Sequence, residues 1–166
     1  MQLVQNFKLA SLYLRIAIGS AYIWEVADRL GILGANGKPH VGWGDWAHFM
    51  AYASQVMGFL PAWLIPPFAV IATIGEASFG LLILLGLFTR QAAIGSGVLG
   101  FCFAMAMALS FGIESPLGYS VFTLSAASFL LATLPSYAWS FDSWMQHRRI
   151  NKQLGIYQDK SSMDAV

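Results

Sequence analysis

A carboxylate, Glu76, lies in the middle of an apolar run that extends from residue 68 to residue 88 and is long enough to cross a membrane. An isolated charge at that depth costs roughly 2.5 kcal/mol or more. Such a group is therefore paired, protonated or exposed to water inside a bundle of helices. A carboxylate held in this way can exchange protons with a bound molecule or accept a hydrogen bond from it. We expect Glu76 to be the central residue of a functional site.

Two helices that each carry a polar stripe must position Glu76. At about 100° per residue, the polar and small residues of each segment fall on one helix face. The first stripe consists of Arg15, Gly19, Tyr22, Glu25 and Arg29, and the second of Thr73, Glu76, Gly80 and Arg90. Antiparallel helices in lipid should turn these faces toward each other, because hydrocarbon offers charges no partner.

Arg15 is the predicted partner of Glu76. At ~1.5 Å per residue, Glu76 lies roughly 13 Å from the outer end of its helix, Arg15 roughly 21 Å and Glu25 roughly 6 Å. Arg15 is favoured because its charge is opposite and a guanidinium can hold a carboxylate through two hydrogen bonds. Glu25, Asp28 and Arg29 are then expected at the outer mouth. The pair could handle protons, or it could only fix the register of the helices.

The composition places the chain among membrane proteins. Hydrophobic residues make up 57% of the sequence and charged residues 10%, which is too apolar for an ordinary soluble domain. A net charge of +1 and the lack of a basic patch argue against binding of nucleic acid. Cys102 is the only cysteine, which excludes an internal disulfide and a cysteine-based metal site. Its phenylalanine neighbours predict a buried, inert thiol.

Four membrane spans are predicted from the requirement for about 20 apolar residues per crossing. They cover about residues 10–30, 67–88, 91–111 and 117–134. The predicted fold is all-α, an integral membrane four-helix bundle formed by residues 1–150. Residues 151–166 are predicted to form a polar cytoplasmic tail.

The distribution of positive charges predicts the orientation of these spans. One side of the membrane receives most of them, namely Lys8, Arg90, Arg148, Arg149 and Lys152. The positive-inside rule places that side, with both termini, in the cytoplasm. The chain is thus expected to be a multi-pass membrane protein, with the lipid bilayer as its first partner.

The long connection between the first two spans contains a predicted helix over about residues 46–58, with Asp45 as its N-cap. Its apolar face consists of Trp46, Phe49, Met50, Ala53 and Met57. An amphipathic helix of this kind is typical of a membrane surface. It would be either a plain interfacial anchor or a functional lid over the bundle mouth.

No haem, metal or flavin site is predicted. The three histidines, His40, His48 and His147, all lie outside the spans, so no two of them can clamp a haem across the bundle. The run of residues 95–100 matches the spacing of a dinucleotide fingerprint but lacks the preceding strand that the motif requires. Its small residues are better explained by close packing of helices.

Several blocks of sequence carry a resemblance to a known family. In the first two spans they are Leu14-Arg15-Ile16-Ala17-Ile18-Gly19 and the run from Gly75-Glu76 through Gly80 and Gly86 to Thr89-Arg90. These blocks resemble the DoxX/DoxD family of small bacterial and archaeal membrane proteins. Residues 26–31 and 42–46 resemble a subgroup with an extended outer loop.

The resemblance implies a four-helix membrane bundle and a link to quinone-coupled oxidation, since DoxD and DoxA together form a thiosulfate:quinone oxidoreductase. Other DoxX-like proteins are tied to thiol and oxidative-stress systems. The expected function is therefore that of an inner-membrane subunit of a quinone-linked oxidoreductase, with a soluble or membrane redox partner. Assembly of several copies of the chain into a homo-oligomer is an alternative that the sequence leaves open.

Under this prediction a quinone binds within the bundle, and Glu76 and Arg15 are the catalytic residues. The predicted substrate-binding residues are Tyr22, Glu25, Asp28, Arg29, Trp43, Trp46 and His48. Two other classes of function remain open. They are a non-enzymatic membrane scaffold for redox partners and a small-solute or proton-linked transporter.

Overall fold

The computed structural model describes residues 2–150 of the chain, with side chains from residue 7 onward. The helices are α1 (Gln2–Arg29), α2 (Trp46–Val56), α3 (Ile65–Leu85), α4 (Thr89–Phe111), α5 (Glu114–Gly118), α6 (Val121–Thr133) and α7 (141–150), and a 3₁₀ turn, Ala62–Leu64, leads into α3. No strand occurs within these residues, so the predicted all-α fold is confirmed. The predicted polar tail, 151–166, lies outside the described residues.

Two helical segments are long and apolar enough to cross a membrane, Ala62–Leu85 and Thr89–Phe111. They correspond to the second and third predicted spans. Helix α1 has sufficient length, but its charged residues, Lys8, Arg15, Glu25, Asp28 and Arg29, lower its hydropathy.

The fourth predicted span, 117–134, is not a single helix. Helix α5 ends at Gly118, and α6 begins at Val121 and has 13 residues, about 20 Å of rise. Ser120 between them has a left-handed backbone, with φ of 57°, a conformation that cannot continue a right-handed helix. The predicted span extended across this break because Leu117 and Tyr119 precede the apolar sequence of α6 and carry no charge.

Four helices pack side by side, with α1 on α3, α3 on α4, α4 on α6 and α6 on α1. Helices α1 and α3 approach each other closely at two glycines, Gly19 and Gly80. A Cβ atom added to Gly19 would lie 2.9 Å from the carbonyl oxygen of Gly80. The absence of side chains at these two positions brings the polar faces of α1 and α3 together.

Large apolar side chains cover the outside of this assembly, whereas much of its interior is small or polar. Exposed examples are Ile16, Ile71, Ile74, Leu81, Val98, Leu109 and Leu130, and buried ones include Ser11, Thr73, Ala93, Ser96, Ala104 and Ser128. This arrangement suits helices that pack through small residues in a hydrocarbon solvent. It also explains Cys102, which is exposed on α4 rather than buried as predicted. In this protein, the apolar neighbours of Cys102 belong to the exposed outer face of α4, not to its interior.

Helix α2 covers one end of α3 and α4. The carboxylate of Asp45 accepts a hydrogen bond from the backbone N–H of His48 at 2.9 Å, which confirms the predicted N-cap. Phe49 and Ala53 are buried against Ala69 of α3. At the other end of α2, the Ser110 hydroxyl donates to the carbonyl of Val56 at 2.7 Å. The helix is therefore held by both of its termini and by its apolar face.

Candidate functional site

The carboxylate of Glu76 forms a buried ion pair with Arg29. Arg29 Nη1 lies 2.5 Å from Glu76 Oε2, and each side chain is only 5% exposed. Arg29 Nη1 also donates to the hydroxyl of Thr73 at 2.9 Å, and that hydroxyl donates to the carbonyl of Ala69 at 2.8 Å. No other hydrogen bond reaches the Glu76 carboxylate from the residues that the structure describes. A buried carboxylate with a single partner retains the capacity to accept a proton or a further donor.

The predicted pairing of Glu76 with Arg15 is wrong, and the direction of helical side chains explains why. Side chains on a helix lean toward its N-terminus. The Arg29 side chain accordingly runs back along α1, and its Nε donates to the carbonyl of Glu25 at 3.2 Å. The guanidinium therefore reaches the level of Glu76, although a count of backbone rise places Arg29 at the mouth.

Arg15 instead binds the C-terminal end of α3. Its Nε donates to the carbonyl of Ile83 and its Nη2 to that of Leu84, both at 2.9 Å. Its Nη1 donates to the carbonyls of Ala138 at 2.7 Å and Trp139 at 3.4 Å. The last carbonyls of a helix lack partners within the helix and attract a cation. Arg15 therefore joins α1, α3 and the segment before α7, about 10 Å along α3 from Glu76.

Helix α2 covers the ion pair with an aromatic ring. The guanidinium carbon of Arg29 lies 4.1 Å from the centroid of the Phe49 ring, a cation–π distance. Trp43 and Trp46 pack edge-on or tilted against Phe49, with centroids 5.9 Å and 5.1 Å away. Trp43 and Trp46, two of the predicted substrate-binding residues, thus pack against the ring that covers Arg29.

Asp28 holds the loop that carries Trp43. It is 3% exposed, and its carboxylate accepts hydrogen bonds from the backbone N–H groups of Gly42 at 2.9 Å, Trp43 at 2.8 Å and Gly44 at 3.2 Å. A Cβ atom at Gly42 would lie 2.9 Å from Asp28 Oδ2. These contacts occupy the carboxylate, so Asp28 positions the cover rather than facing an open site.

Glu25 lies at the edge of the site and is exposed. One of its oxygens, Oε2, accepts a hydrogen bond from the indole N–H of Trp43 at 3.2 Å. Tyr52 of α2 packs against Trp43 with a tilted ring, and the two ring centroids are 4.6 Å apart. Burial raises the pKa of Tyr52, and the nearby Tyr119 and Glu25 raise it further. This side of the cover therefore presents one carboxylate and a neutral phenol.

His48 is an exposed residue at the N-terminus of α2. Its Nδ1 lies 2.9 Å from both carboxylate oxygens of Asp45, and its side chain is 53% exposed. The backbone N–H of His48, followed by its ring, lowers the pKa of Asp45. His48 thus belongs to the N-cap of α2 on the outer surface, and the structure does not bring it to the ion pair.

Tyr22 lies deeper in the interior, between α1 and α4. Its hydroxyl donates to the carbonyl of Ser96 at 2.9 Å, and the hydroxyl of Ser96 is 2.8 Å from that of Ser128. Ser128 also donates to the carbonyl of Leu124, as expected for hydroxyls in an apolar helix. Tyr22 therefore links α4 to the same polar stripe of α1 that carries Arg29.

Sequence reasoning missed Asp142, which connects α7 to the turn between α3 and α4. Its carboxylate accepts the backbone N–H groups of Phe88 at 2.9 Å and Thr89 at 2.8 Å, at the N-terminus of α4. The only signal was a lone acidic residue at the boundary of the apolar region. The cation–π contact of Phe49 was also missed, because periodicity assigns a residue to a face without identifying what the face covers.

The site has the elements of proton and hydrogen-bond chemistry. It combines a buried carboxylate, a buried guanidinium and a hydroxyl under an aromatic cover. Among residues 2–150, no group of three histidine, cysteine, aspartate or glutamate side chains is placed to hold a metal ion.

Comparison with known proteins identifies a family. A family model described as "TQO small subunit DoxD" matches residues 9–157, a range that contains α1 from residue 9 onward and helices α2 to α7. Searches of curated proteins and of solved structures returned no match.

Proposed function

This chain belongs to the DoxD family, as the resemblance predicted, and from that premise we propose that it is the membrane subunit of a quinone-linked oxidoreductase. Thiosulfate is the proposed electron donor, through a partner subunit, because the family is that of a small subunit of thiosulfate:quinone oxidoreductase. In this proposal the partner subunit oxidises thiosulfate, and this chain provides the quinone site in the membrane.

The observation that carries the proposal is the buried Arg29–Glu76 pair beneath Phe49. A bound quinone accepts two electrons and two protons when it is reduced. Glu76 is suited to exchange a proton with it, because its carboxylate has only one partner. Arg29, rather than the predicted Arg15, is suited to hold Glu76 ionised, and its guanidinium can also donate a hydrogen bond.

The residues present fit a quinone headgroup. Aromatic side chains of Trp43, Trp46 and Phe49 provide flat apolar surface. Phe49 lies directly on the guanidinium of Arg29, so a headgroup reaches Glu76 only when α2 moves. Under this proposal α2 is a lid as well as an interfacial helix.

The other predicted binding residues have supporting roles in the proposal. Glu25 and Trp43 form the entrance at the side of α2. Asp28 fixes the loop beneath the lid, and Tyr22 fixes the interior wall against α4. His48 orders the N-terminus of α2 on the outer surface.

The proposed topology is a four-span bundle in the bacterial inner membrane, with both termini cytoplasmic. Helices α1, α3, α4 and α6 would cross the membrane, and α2 would lie at its outer surface. Helix α6 is short for a span, but α5 and the turn at residue 120 add to its reach.

Electron transfer in membranes tests the proposal. Membranes that contain the full chain and its redox partner are given thiosulfate and a short-chain quinone such as ubiquinone-1. We expect Glu76→Gln to lower quinone reduction at least tenfold, whereas Glu114→Gln removes an exposed carboxylate and should leave the rate unchanged. Equal rates in wild type and Glu76→Gln would exclude the proposed role of Glu76.

A non-enzymatic scaffold is the second candidate. It is favoured by Arg15 and Asp28, two buried charged residues whose observed partners are backbone groups. Under this alternative, Glu76→Gln would lower the stability of the bundle without changing electron transfer by the assembled complex.

A further inference from the structure

A groove of about 470 Å³ lies at the opposite end of the molecule from α2, between the start of α4 and the start of α7. Its lining includes Arg90 and Gln91 of α4, Tyr137 of the connecting segment and Asp142 and Arg149 of α7. None of these residues belongs to the Arg29–Glu76 site. The groove is therefore a separate feature that the proposed function leaves unexplained.

The groove is electropositive. Arg90 and Arg149 are exposed, and neither forms an ion pair with a carboxylate of residues 2–150. The one acidic residue of the lining, Asp142, already accepts two backbone N–H groups at the N-terminus of α4. Its charge is offset there by the dipole of α4, so the two guanidinium groups determine the sign of the potential.

Tyr137 adds an enclosed donor. Its hydroxyl oxygen is buried and has no hydrogen-bond partner among the described residues. Burial is the main cause that raises the pKa of Tyr137, against the opposing effect of Arg90. The phenol therefore stays protonated at neutral pH and can donate to an anion.

A second groove of about 510 Å³ shares Ser143 with the first and is lined by aromatic side chains, Trp139, Phe141 and Trp144. Trp139 is 71% exposed and Trp144 51%. Exposed tryptophans beside a membrane span mark the level of the lipid headgroups. The positive-inside rule also places this end at the cytoplasmic leaflet, where anionic lipids are concentrated.

We propose that the cationic groove binds the phosphate group of an anionic lipid, with Arg90 and Arg149 facing the charge and Tyr137 donating a hydrogen bond. The acyl chains would lie on the neighbouring aromatic groove. Guanidinium groups suit this ligand because they bind phosphate through paired hydrogen bonds.

Native mass spectrometry of the purified, delipidated full-length chain tests the site. The probes are dioleoylphosphatidylglycerol, dioleoylphosphatidylcholine and inorganic phosphate. We expect the wild type to bind phosphatidylglycerol at least tenfold more tightly than phosphatidylcholine. The double variant Arg90→Gln/Arg149→Gln should weaken phosphatidylglycerol binding at least tenfold, and Tyr137→Phe about threefold.

Arg148→Gln is the matched control for Arg149→Gln, because it removes the same charge from the adjacent position. The Arg148 guanidinium lies 3.9 Å over the ring of Trp144 and does not line the cationic groove. Its loss should weaken binding less than twofold. Equal losses in Arg148→Gln and Arg149→Gln would show charge attraction without a site and overturn the proposal. Competition by millimolar inorganic phosphate would overturn the assignment to a lipid.

Discussion

At the scale of single residues, the sequence identified the buried acid but not its cation. Glu76 was evident because a carboxylate in an apolar run has few explanations. Its partner was not, because the choice between Arg15 and Arg29 depends on how far a guanidinium extends along its own helix. Asp28 shows the same limit. Its charge suggested an entrance, whereas its contacts are three backbone N–H groups of a distant loop.

The buried pair predicts a specific pattern of stability. Arg29→Gln leaves the Glu76 carboxylate buried without a cation, and we expect the free energy of unfolding to fall by about 3 kcal/mol or more. The double variant Arg29→Gln/Glu76→Gln has no buried charge and should recover much of that loss. Denaturation in detergent, followed by circular dichroism, measures both. If the loss of unfolding free energy in the double variant equals the sum of the losses in the two single variants, the ion pair is contradicted.

Substitution of Arg15 should lower the stability of the fold without changing the rate of quinone reduction. Arg15→Lys keeps the charge but loses the planar donors that reach four carbonyls on two segments, so we expect a loss of about 2 kcal/mol. Quinone reduction per folded molecule should be unchanged, because Arg15 does not contact Glu76. If the Arg15→Lys protein is fully folded but reduces quinone ten times more slowly, Arg15 is a catalytic residue, as the sequence predicted.

At the scale of elements, local patterns predicted α2 well and α6 poorly. The N-cap Asp45 and the apolar residues at helical spacing specified α2 and its buried face, since both signals are local. The break at residue 120 carried no strong signal, because serine rarely marks a left-handed turn. The Arg15 contacts with residues 138 and 139 join segments more than 120 positions apart, a distance that periodicity does not cover.

The cover formed by α2 predicts that Phe49 limits access to Glu76. Phe49→Ala removes the ring over Arg29, and we expect a hydrophobic carbodiimide to label Glu76 several-fold faster in that variant. Phe59→Ala is the control, because Phe59 is already 53% exposed and lies beyond the C-terminus of α2. Peptide mass spectrometry quantifies the labelled Glu76. Equal labelling in wild type and Phe49→Ala would show that α2 does not cover the site.

At the scale of the whole molecule, hydrophobic composition and helical periodicity predicted the all-α membrane class, and the resemblance of the Arg15 and Glu76 blocks predicted the family. They could not predict how short α6 is or which end each polar cluster occupies. The structure separates two clusters, with Arg29 and Glu76 beneath α2 and Arg15 and Asp142 at the α3–α4 turn. Under the proposed topology, the second cluster lies on the cytoplasmic side.

Cysteine labelling in spheroplasts tests this orientation. In a Cys102→Ser background, Lys38→Cys lies in the loop before α2 and Gln146→Cys lies on α7. We expect an impermeant maleimide to label position 38 in intact spheroplasts and position 146 only after lysis. The reverse pattern would invert the topology.

The central claim is that Glu76, held by Arg29 under α2, is part of a quinone site. Its most direct test is the quinone content of the complex purified in mild detergent, measured by native mass spectrometry with lipid extraction. We predict bound quinone in the wild type and in Glu114→Gln, and its loss in Glu76→Gln that remains folded. A wild-type complex without quinone, or a Glu76→Gln complex with the full amount, would contradict the claim.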